Sequence, residues 1–387
     1  MKEYESDELV YTISYKGKTK GIESGIRIIS DEYYNKLRED WYRKPDKDLV
    51  LRELKKFING GNKTTNIVKY YYRDLMDNTQ TLHSKWCIND IFDSKELLSW
   101  VVYKITTNSK VFDGYSMNRN IDTVFRLGGS GVANRVSNFP LPICDDILHK
   151  YNVNNNYYDF SCGWGARLMC SLRAGINYYG TDPNYLLVER LNQFYDDYKS
   201  LSPYTPNKKI YCQGSEVFIP ELENKIGLAF SSPPYFNLED YKVGNQSYKE
   251  GTTFEEWVEN YLRPTFKNIY RYLIYDGYFI INIKDFDNIP LEQTCKDVAK
   301  ECGFIFYKNE ELKQSFRVVA SKDSDTERLD VSQNENIYVF TKVEKKDINL
   351  FGFEVENKQI EIREKKEHKI KEQKDNVISE FENIDLW

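Results

Sequence analysis

The sequence Ser232-Pro233-Pro234-Tyr235 places a hydroxyl, two rigid backbone units and an aromatic ring side by side. Those groups suit a nitrogen nucleophile that is weak because its lone pair is delocalised into a ring. Acceptors that grip the N–H bonds of such an amine draw the lone pair out of conjugation and aim it. The Ser232 hydroxyl and the Pro233 carbonyl are acceptors of that kind. Two consecutive prolines fix the backbone dihedrals, so the acceptors are in place before the reaction begins. Tyr235, followed by Phe236, offers a flat surface on which a heterocyclic base can stack. The competing reading is a Pro-Pro turn that only ends a strand.

A second segment, Asp159-Phe160-Ser161-Cys162-Gly163-Trp164-Gly165, has the form of a strand running through a Gly-x-Gly turn into a helix. Glycines at 163 and 165 remove the Cβ atoms that would keep a ligand from the backbone N–H groups. Asp182 closes the next strand, close to the spacing of about 20 residues at which a carboxylate takes ribose hydroxyls. A dinucleotide pyrophosphate would want glycine at a third position, where Leu168 stands, and Asp159 would repel it. An acidic turn suits a cationic ligand instead, such as the ammonium and sulfonium groups of S-adenosylmethionine. Gly214-Ser215-Glu216, after a third strand, is placed for contacts to an adenine edge, Ser215 foremost.

These segments need elements that hold them at one end of a sheet. Residues 126–345 alternate strand and helix, which predicts a doubly wound parallel α/β sheet. Strands are expected at 157–160, 178–181, 209–212, 226–231 and 278–283, with helices at 166–174, 185–198, 254–273 and 291–302. Residues 304–307 and 337–341 are expected to close the sheet as an antiparallel pair. Both chemical segments then fall at the carboxyl ends of strands, where open α/β sheets bind ligands. Residues 1–125 read as a mostly helical N-terminal unit. Two short strands (9–14 and 25–29) precede a helix capped by Asp31, and further helices lie at 48–58, 64–76 and 94–105. Residues 346–387 form a highly charged C-terminal tail, read as a solvated helix or disordered segment.

Bulk properties narrow the class. The chain has 387 residues and a formal net charge of −6, so it is not a globally basic nucleic-acid coat; a local basic cleft remains compatible with that balance. Lysines and arginines spread through residues 16–73 are interleaved with acids, which favours a mixed solvated surface over a phosphate-contacting face. The seven cysteines form no CxxC pair and there are three histidines, so no metal site is expected and the thiols are read as reduced. The N-terminus has no signal-peptide pattern, and no apolar run is long enough for a membrane span. A soluble, cytoplasmic protein without a membrane partner is the expectation.

Ser232–Tyr235 resembles the catalytic motif of the amino-group DNA methyltransferases, which act on cytosine N4 or adenine N6. Residues 159–165 look like their cofactor loop, and Tyr-Phe-Ile-Ile-Asn-Ile-Lys-Asp at 278–285 looks like their fifth strand. The stretch Arg135–Pro140 lies where such enzymes place a further cofactor-contacting segment, which marks Asn138 and Phe139. The resemblance covers about residues 126–345. It implies a Rossmann-like methyltransferase fold, S-adenosylmethionine as donor, DNA as partner and a flipped base as substrate. Serine at the first motif position leans toward cytosine N4. Phe160 stands where many members have proline, and no long target-recognition insertion interrupts the core. Residues 1–125, or the loops 237–253 and 309–336, are left for that part. The loop 237–253, rich in Gly, Asn, Ser and Lys, is also a candidate lid over substrate, or else an ordinary surface loop.

Two other classes stay open. An RNA base methyltransferase would use the same grip, because a flipped base looks alike in both nucleic acids. A binding module would keep the fold without turnover. Cytosine C5 methylation needs a cysteine after the proline, where Tyr235 stands.

Overall fold

The computed structural model describes residues 5–10, 26–82, 84–107, 116–126, 133–202, 204–249, 251–312 and 335–344. The charged tail from 345 onward lies outside them.

At the N-terminus, β1 (Glu5–Val10) and β2 (Ile26–Ile29) pair antiparallel. The helix Asp31–Tyr42 follows, and its cap is Ser30 rather than Asp31: the Ser30 hydroxyl accepts from the Tyr33 N–H at 3.2 Å. Asp46 caps the next helix, Lys47–Ile58, in the same way. The segment expected as one helix over 64–76 is two, Thr65–Tyr71 and Arg73–Asp77, broken at Tyr72. The pair Gln80–Thr81 is β3, and helices Ile88–Asp93, Lys95–Thr107, Met117–Arg126 and Leu141–Tyr151 complete the first part of the chain.

The rest is a doubly wound, Rossmann-like α/β sheet. Its strands are β4 (Asn156–Asp159), β5 (Asn177–Thr181), β6 (Lys208–Tyr211), β7 (Ile226–Ser231), β9 (Leu273–Ile283), β10 (Ile305–Leu312) and β11 (Glu335–Thr341). They lie side by side in the order β10-β11-β9-β7-β4-β5-β6. The five strands from β6 to β9 are parallel, while β11 runs antiparallel to β9 and to β10. Every residue of β7 is buried, the pattern of a strand covered on both faces. The chain builds β4, β5 and β6 outward in one direction, then crosses back to lay β7 on the other side of β4. That reversal opens a crevice at the carboxyl ends of β4 and β7.

Helix Phe254–Trp257, opened by a Thr253–Glu256 capping box, runs on without a break through Val258–Leu262 to Arg263–Tyr272. Pro264 lacks the N–H that would close the regular ladder, and the turn before it is wound as a π-helix. Strand β9 starts earlier than its apolar run at 278 suggests. Asp276 takes a left-handed φ of 62° there, and the register with β7 slips between Ile226 and Leu228.

Two apolar layers sandwich the sheet. One contains Leu168, Met169, Leu191 and Phe194, and it takes in Val50, Leu54, Phe57, Ile67 and Tyr71 from the helices between 47 and 77. The other packs Trp257, Phe266, Ile269 and Tyr272 on Phe279 and Ile281. A third core, around Trp41, Phe92, Leu98, Val101 and Phe125, belongs to the first part of the chain. One core therefore runs continuously across residue 125. Among the described residues, no helix is long and apolar enough to cross a membrane.

Candidate active site

The residues after β4, β5, β6 and β7 converge on one cleft, whose empty volume, open solvent included, is about 690 Å³. Phe160, Ser161, Gly163 and Trp164 form one wall, Asp182 to Asn184 a second, Gly214 to Glu216 a third. Pro234 of the Ser-Pro-Pro-Tyr segment reaches the same cleft. The fourth wall is the loop after that segment, through Tyr241, Val243 and Asn245–Ser247.

The turn after β4 depends on glycine. Gly163 and Gly165 have φ of 53° and 77°, a region that side chains strain against. A Cβ on Gly165 would stand 2.6 Å from the Tyr72 hydroxyl, so the break between the two short helices seats its tyrosine against this glycine.

Asp182 is 8% exposed and sits on the cleft wall, its carboxylate accepting from the Asn184 N–H at 3.0 Å. Burial pushes its pKa up to about 7, against the pull of that hydrogen bond and with the charge of Asp159 adding to the rise. Ser215 lines the cleft, and its hydroxyl shares a 3.0 Å hydrogen bond with Thr265. The charged side chains on the cleft wall are Asp182 and Glu216; among the described residues no lysine or arginine lines it.

Other residues marked by the sequence stand behind this wall. Asp159 is fully buried and faces away from the cleft. It pairs with Arg167 (Nε to Oδ2, 3.0 Å) and accepts from the Tyr178 hydroxyl at 2.9 Å. The negative charge expected from Asp159 is therefore spent on Arg167, and the cleft takes its acidity from Asp182 and Glu216. Cys162 is buried, its N–H bonded to the Thr181 carbonyl, and burial holds its thiol well above the usual range. Asn138 and Phe139 brace the turn from outside. The Asn138 amide donates to the Trp164 carbonyl at 2.9 Å, and the Phe139 ring lies edge-on to Phe230 at 5.4 Å.

In the segment after β7, the Ser232 hydroxyl donates to the Asn282 side-chain oxygen at 2.9 Å, and the Tyr235 hydroxyl donates to the Asn282 carbonyl at 3.2 Å. Tyr235 also stacks on Phe286, centroids 6.4 Å apart and planes 29° apart. Pro233 is buried against the sheet end. Phe236 does not join this surface. It takes a left-handed φ of 49° and turns into a cage of Tyr248, Phe254 and Trp257. Asn282 is the residue that sequence reasoning passed over. Its signal was present: one amide inside the apolar run Tyr278–Ile283, 2% exposed, in a strand that otherwise holds no polar side chain from 278 to 283 except a tyrosine. Its amide nitrogen donates to the Asn336 carbonyl, which fixes its oxygen toward Ser232.

The loop 237–253 is tied back to the first part of the chain. Its Glu239–Asp240 (β8) pairs antiparallel with β3, and the Leu82 N–H donates to the Leu238 carbonyl at 2.7 Å.

No family model and no curated protein sequence matches this chain. Solved structures do resemble its fold. An S-adenosylmethionine-dependent O-methyltransferase from Thermotoga maritima aligns at 11% identity over 53% of this chain and 65% of that one, with a TM-score of 0.35. An S-adenosylmethionine-dependent methyltransferase from Methanosarcina mazei aligns at 11% identity over 54% of this chain and 99% of that one, with a TM-score of 0.34. A geranyl diphosphate methyltransferase solved with S-adenosylmethionine aligns at 10% identity over 53% and 86%, with a TM-score of 0.36.

Proposed function

We propose that this chain transfers a methyl group from S-adenosylmethionine to the exocyclic amine of a base in DNA, with cytosine N4 favoured over adenine N6. The observation that carries the reading is the shared cleft. The glycine turn, two acidic side chains and Pro234 face one space, and no cationic side chain of the described residues lines it.

The donor set fits that cofactor. Asp182 is placed to accept from ribose hydroxyls, as carboxylates at the end of a second strand do. Gly163 lines the cleft with bare backbone, the place of its missing Cβ lying toward Arg167, and Ser215 and Glu216 would border an adenine ring. A diphosphate would meet two carboxylates and no counter-charge, which argues against a dinucleotide. Bound there, S-adenosylmethionine supplies a methyl carbon made electrophilic by its sulfonium.

The remaining work falls to the chain's own residues. The single hydrogen of the Ser232 hydroxyl goes to Asn282, so its lone pairs are left for an amine N–H. The Pro233 carbonyl is the second acceptor. Tyr235, held by its hydroxyl and backed by Phe286, presents a ring for the base. A sulfonium donor needs no strong general base, and the segment contains none.

The test is label transfer from radioactive S-adenosylmethionine to unmodified DNA and to RNA, followed by nucleoside mass spectrometry. N4-methylcytosine or N6-methyladenine in DNA supports the proposal and settles the base. Modified RNA with unmodified DNA would replace the substrate class. Cofactor binding without transfer to either would favour a module that has lost turnover.

A further inference from the structure

Beneath the cleft floor, one buried guanidinium joins the two turns that the chemistry must bring together. Arg167 is 5% exposed and stands in the first turn of the helix Ala166–Arg173. Its Nε donates to Asp159 Oδ2 at 3.0 Å. Its Nη2 donates to the Ser161 carbonyl, in the glycine turn, and to the Ser231 hydroxyl at 3.1 Å, in the residue just before Ser232. The Ser231 hydroxyl donates in turn to the same Ser161 carbonyl at 3.1 Å. A Cβ on Gly163 would meet Nη2 at 3.3 Å, so the fork lies directly under the turn. The Phe139 ring covers the guanidinium carbon at 5.9 Å.

We propose that Arg167 and Ser231 are positioning residues that set the separation between the cofactor turn and the amine-gripping segment. The claim rests on the methyltransferase reading and deepens it. The carboxyl ends of β4 and β7 are neighbours, but their pairing stops at Tyr158 opposite Ala229, short of both turns. Beyond that point no ladder bond among the described residues fixes the spacing of Ser161 from Ser232; the Tyr157 hydroxyl donates to the Phe230 carbonyl at 2.8 Å, and the Arg167–Ser231–Ser161 triangle is the connection that reaches the glycine turn itself. A planar fork holds two acceptors at fixed angles, which one lysine ammonium cannot reproduce. Asp159 keeps the charge neutralised: burial opposes the ionised guanidinium, but the carboxylate outweighs it and raises the pKa above its ordinary value. In-line transfer is sensitive to errors of about 1 Å in the approach of donor and acceptor, of order 100-fold in rate. A tie of this kind therefore acts on turnover more than on binding.

Ser231→Ala isolates the tie, because it leaves Arg167 paired with Asp159 and Ser161 and strands no charge. The expected result is a fall in kcat of about tenfold or more, with the KM for S-adenosylmethionine within about twofold and Tm within about 3 °C of wild type. Arg167→Lys should lower kcat further, again with a smaller change in cofactor KM. A fall in Tm with kcat unchanged in Ser231→Ala would show a merely structural bond and overturn the proposal. A readout free of nucleic acid separates this claim from the functional one. In hydrogen–deuterium exchange of the full chain, S-adenosylhomocysteine should protect residues 160–167 and 231–238 together in wild type, and 160–167 alone in Ser231→Ala. If wild type shows joint protection but no transfer to DNA or RNA, the functional reading fails while the coupling stands. If Ser231→Ala keeps joint protection, or wild type never shows it, the coupling fails.

Discussion

Replacing Asp182 by asparagine should make the protein more stable and, on the proposed reading, worse at holding S-adenosylhomocysteine at the same time. Asp182 ionises near 7 in the folded chain rather than at 3.8, because burial disfavours its charge. At about 1.4 kcal/mol per pH unit of displacement, ionising it in place costs about 4 kcal/mol. The sign follows from proton counting. Between 3.8 and about 7 the folded state holds a proton that the unfolded state has lost. The stability due to this group is therefore fully present below 3.8 and is lost as the pH rises through 7. At pH 8 the wild type bears the whole cost and Asp182→Asn does not. Asparagine keeps an acceptor for the Asn184 N–H but must bury two amide hydrogens, so a net gain of about 1–3 kcal/mol is expected, read as a Tm rise of about 2–5 °C. Ribose hydroxyls donate best to the ionised carboxylate, so ligand binding expels the proton. Affinity for S-adenosylhomocysteine should climb up to about tenfold per unit below pH 7 and level off above it. Asp182→Asn should flatten that profile and weaken binding about 10- to 100-fold at pH 8, the worth of hydrogen bonds to a charged group. Calorimetric titration between pH 5.5 and 8.5, in two buffers of different ionisation enthalpy, measures both the affinity and the proton released. A flat wild-type profile, or an Asp182→Asn protein less stable than wild type at pH 8, would refute the reasoning.

Other variants divide the site into its parts. Ser232→Ala should reduce kcat about 100-fold with little change in cofactor affinity, measured by single-turnover methyl transfer and by titration. Tyr235→Ala should cost about 10- to 100-fold in kcat/KM for DNA, the worth of one stacked base; full activity would remove its stacking role. Asn282→Leu leaves the Ser232 hydroxyl hydrogen free to turn toward substrate, so kcat should fall about tenfold or more while S-adenosylhomocysteine still binds. Gly165→Ala meets both a left-handed φ of 77° and the Tyr72 hydroxyl at 2.6 Å, and a loss of about 2–4 kcal/mol in denaturant unfolding is expected.

What the sequence disclosed and what it withheld have a common physical basis. The strands at 157, 178 and 226 were legible because inner parallel strands, covered on both faces, read as short runs of buried residues between turn signals, whereas the edge strand at 209, Lys-Lys-Ile-Tyr and only partly buried, was legible from its place in the strand–helix alternation. Their ends came within about one or two residues, since the last ladder bond depends on neighbours that no local pattern names. Gly163, Asp182, Ser215 and Pro234 were legible as a set because each ends a consecutive strand, and parallel strands bring all their carboxyl ends to one edge. That inference needs only topology. Side-chain direction is a different matter. Asp159 and Asp182 look equivalent in the sequence, an acid at the end of a strand in each case, yet one faces Arg167 and the other the cleft. Asp159 is the last residue of its strand and in register with Gly180, two positions short of Asp182, so its carboxylate sits lower in the sheet, beneath the turn, and needs a buried cation to be tolerated there. Arg167 was read as one more residue of a helix because long-range pairing leaves no trace in spacing. The same holds for Asn282, whose partners lie fifty residues away in Ser232 and on the adjacent strand in Asn336. A polar side chain inside an apolar run must find a partner or lose stability by about 1–3 kcal/mol. Such residues mark where a fold has been held to one geometry: Asp159, Arg167, Ser231 and Asn282 do so at the join between the glycine turn and the Ser232–Tyr235 segment, where the proposed reaction tolerates the least movement.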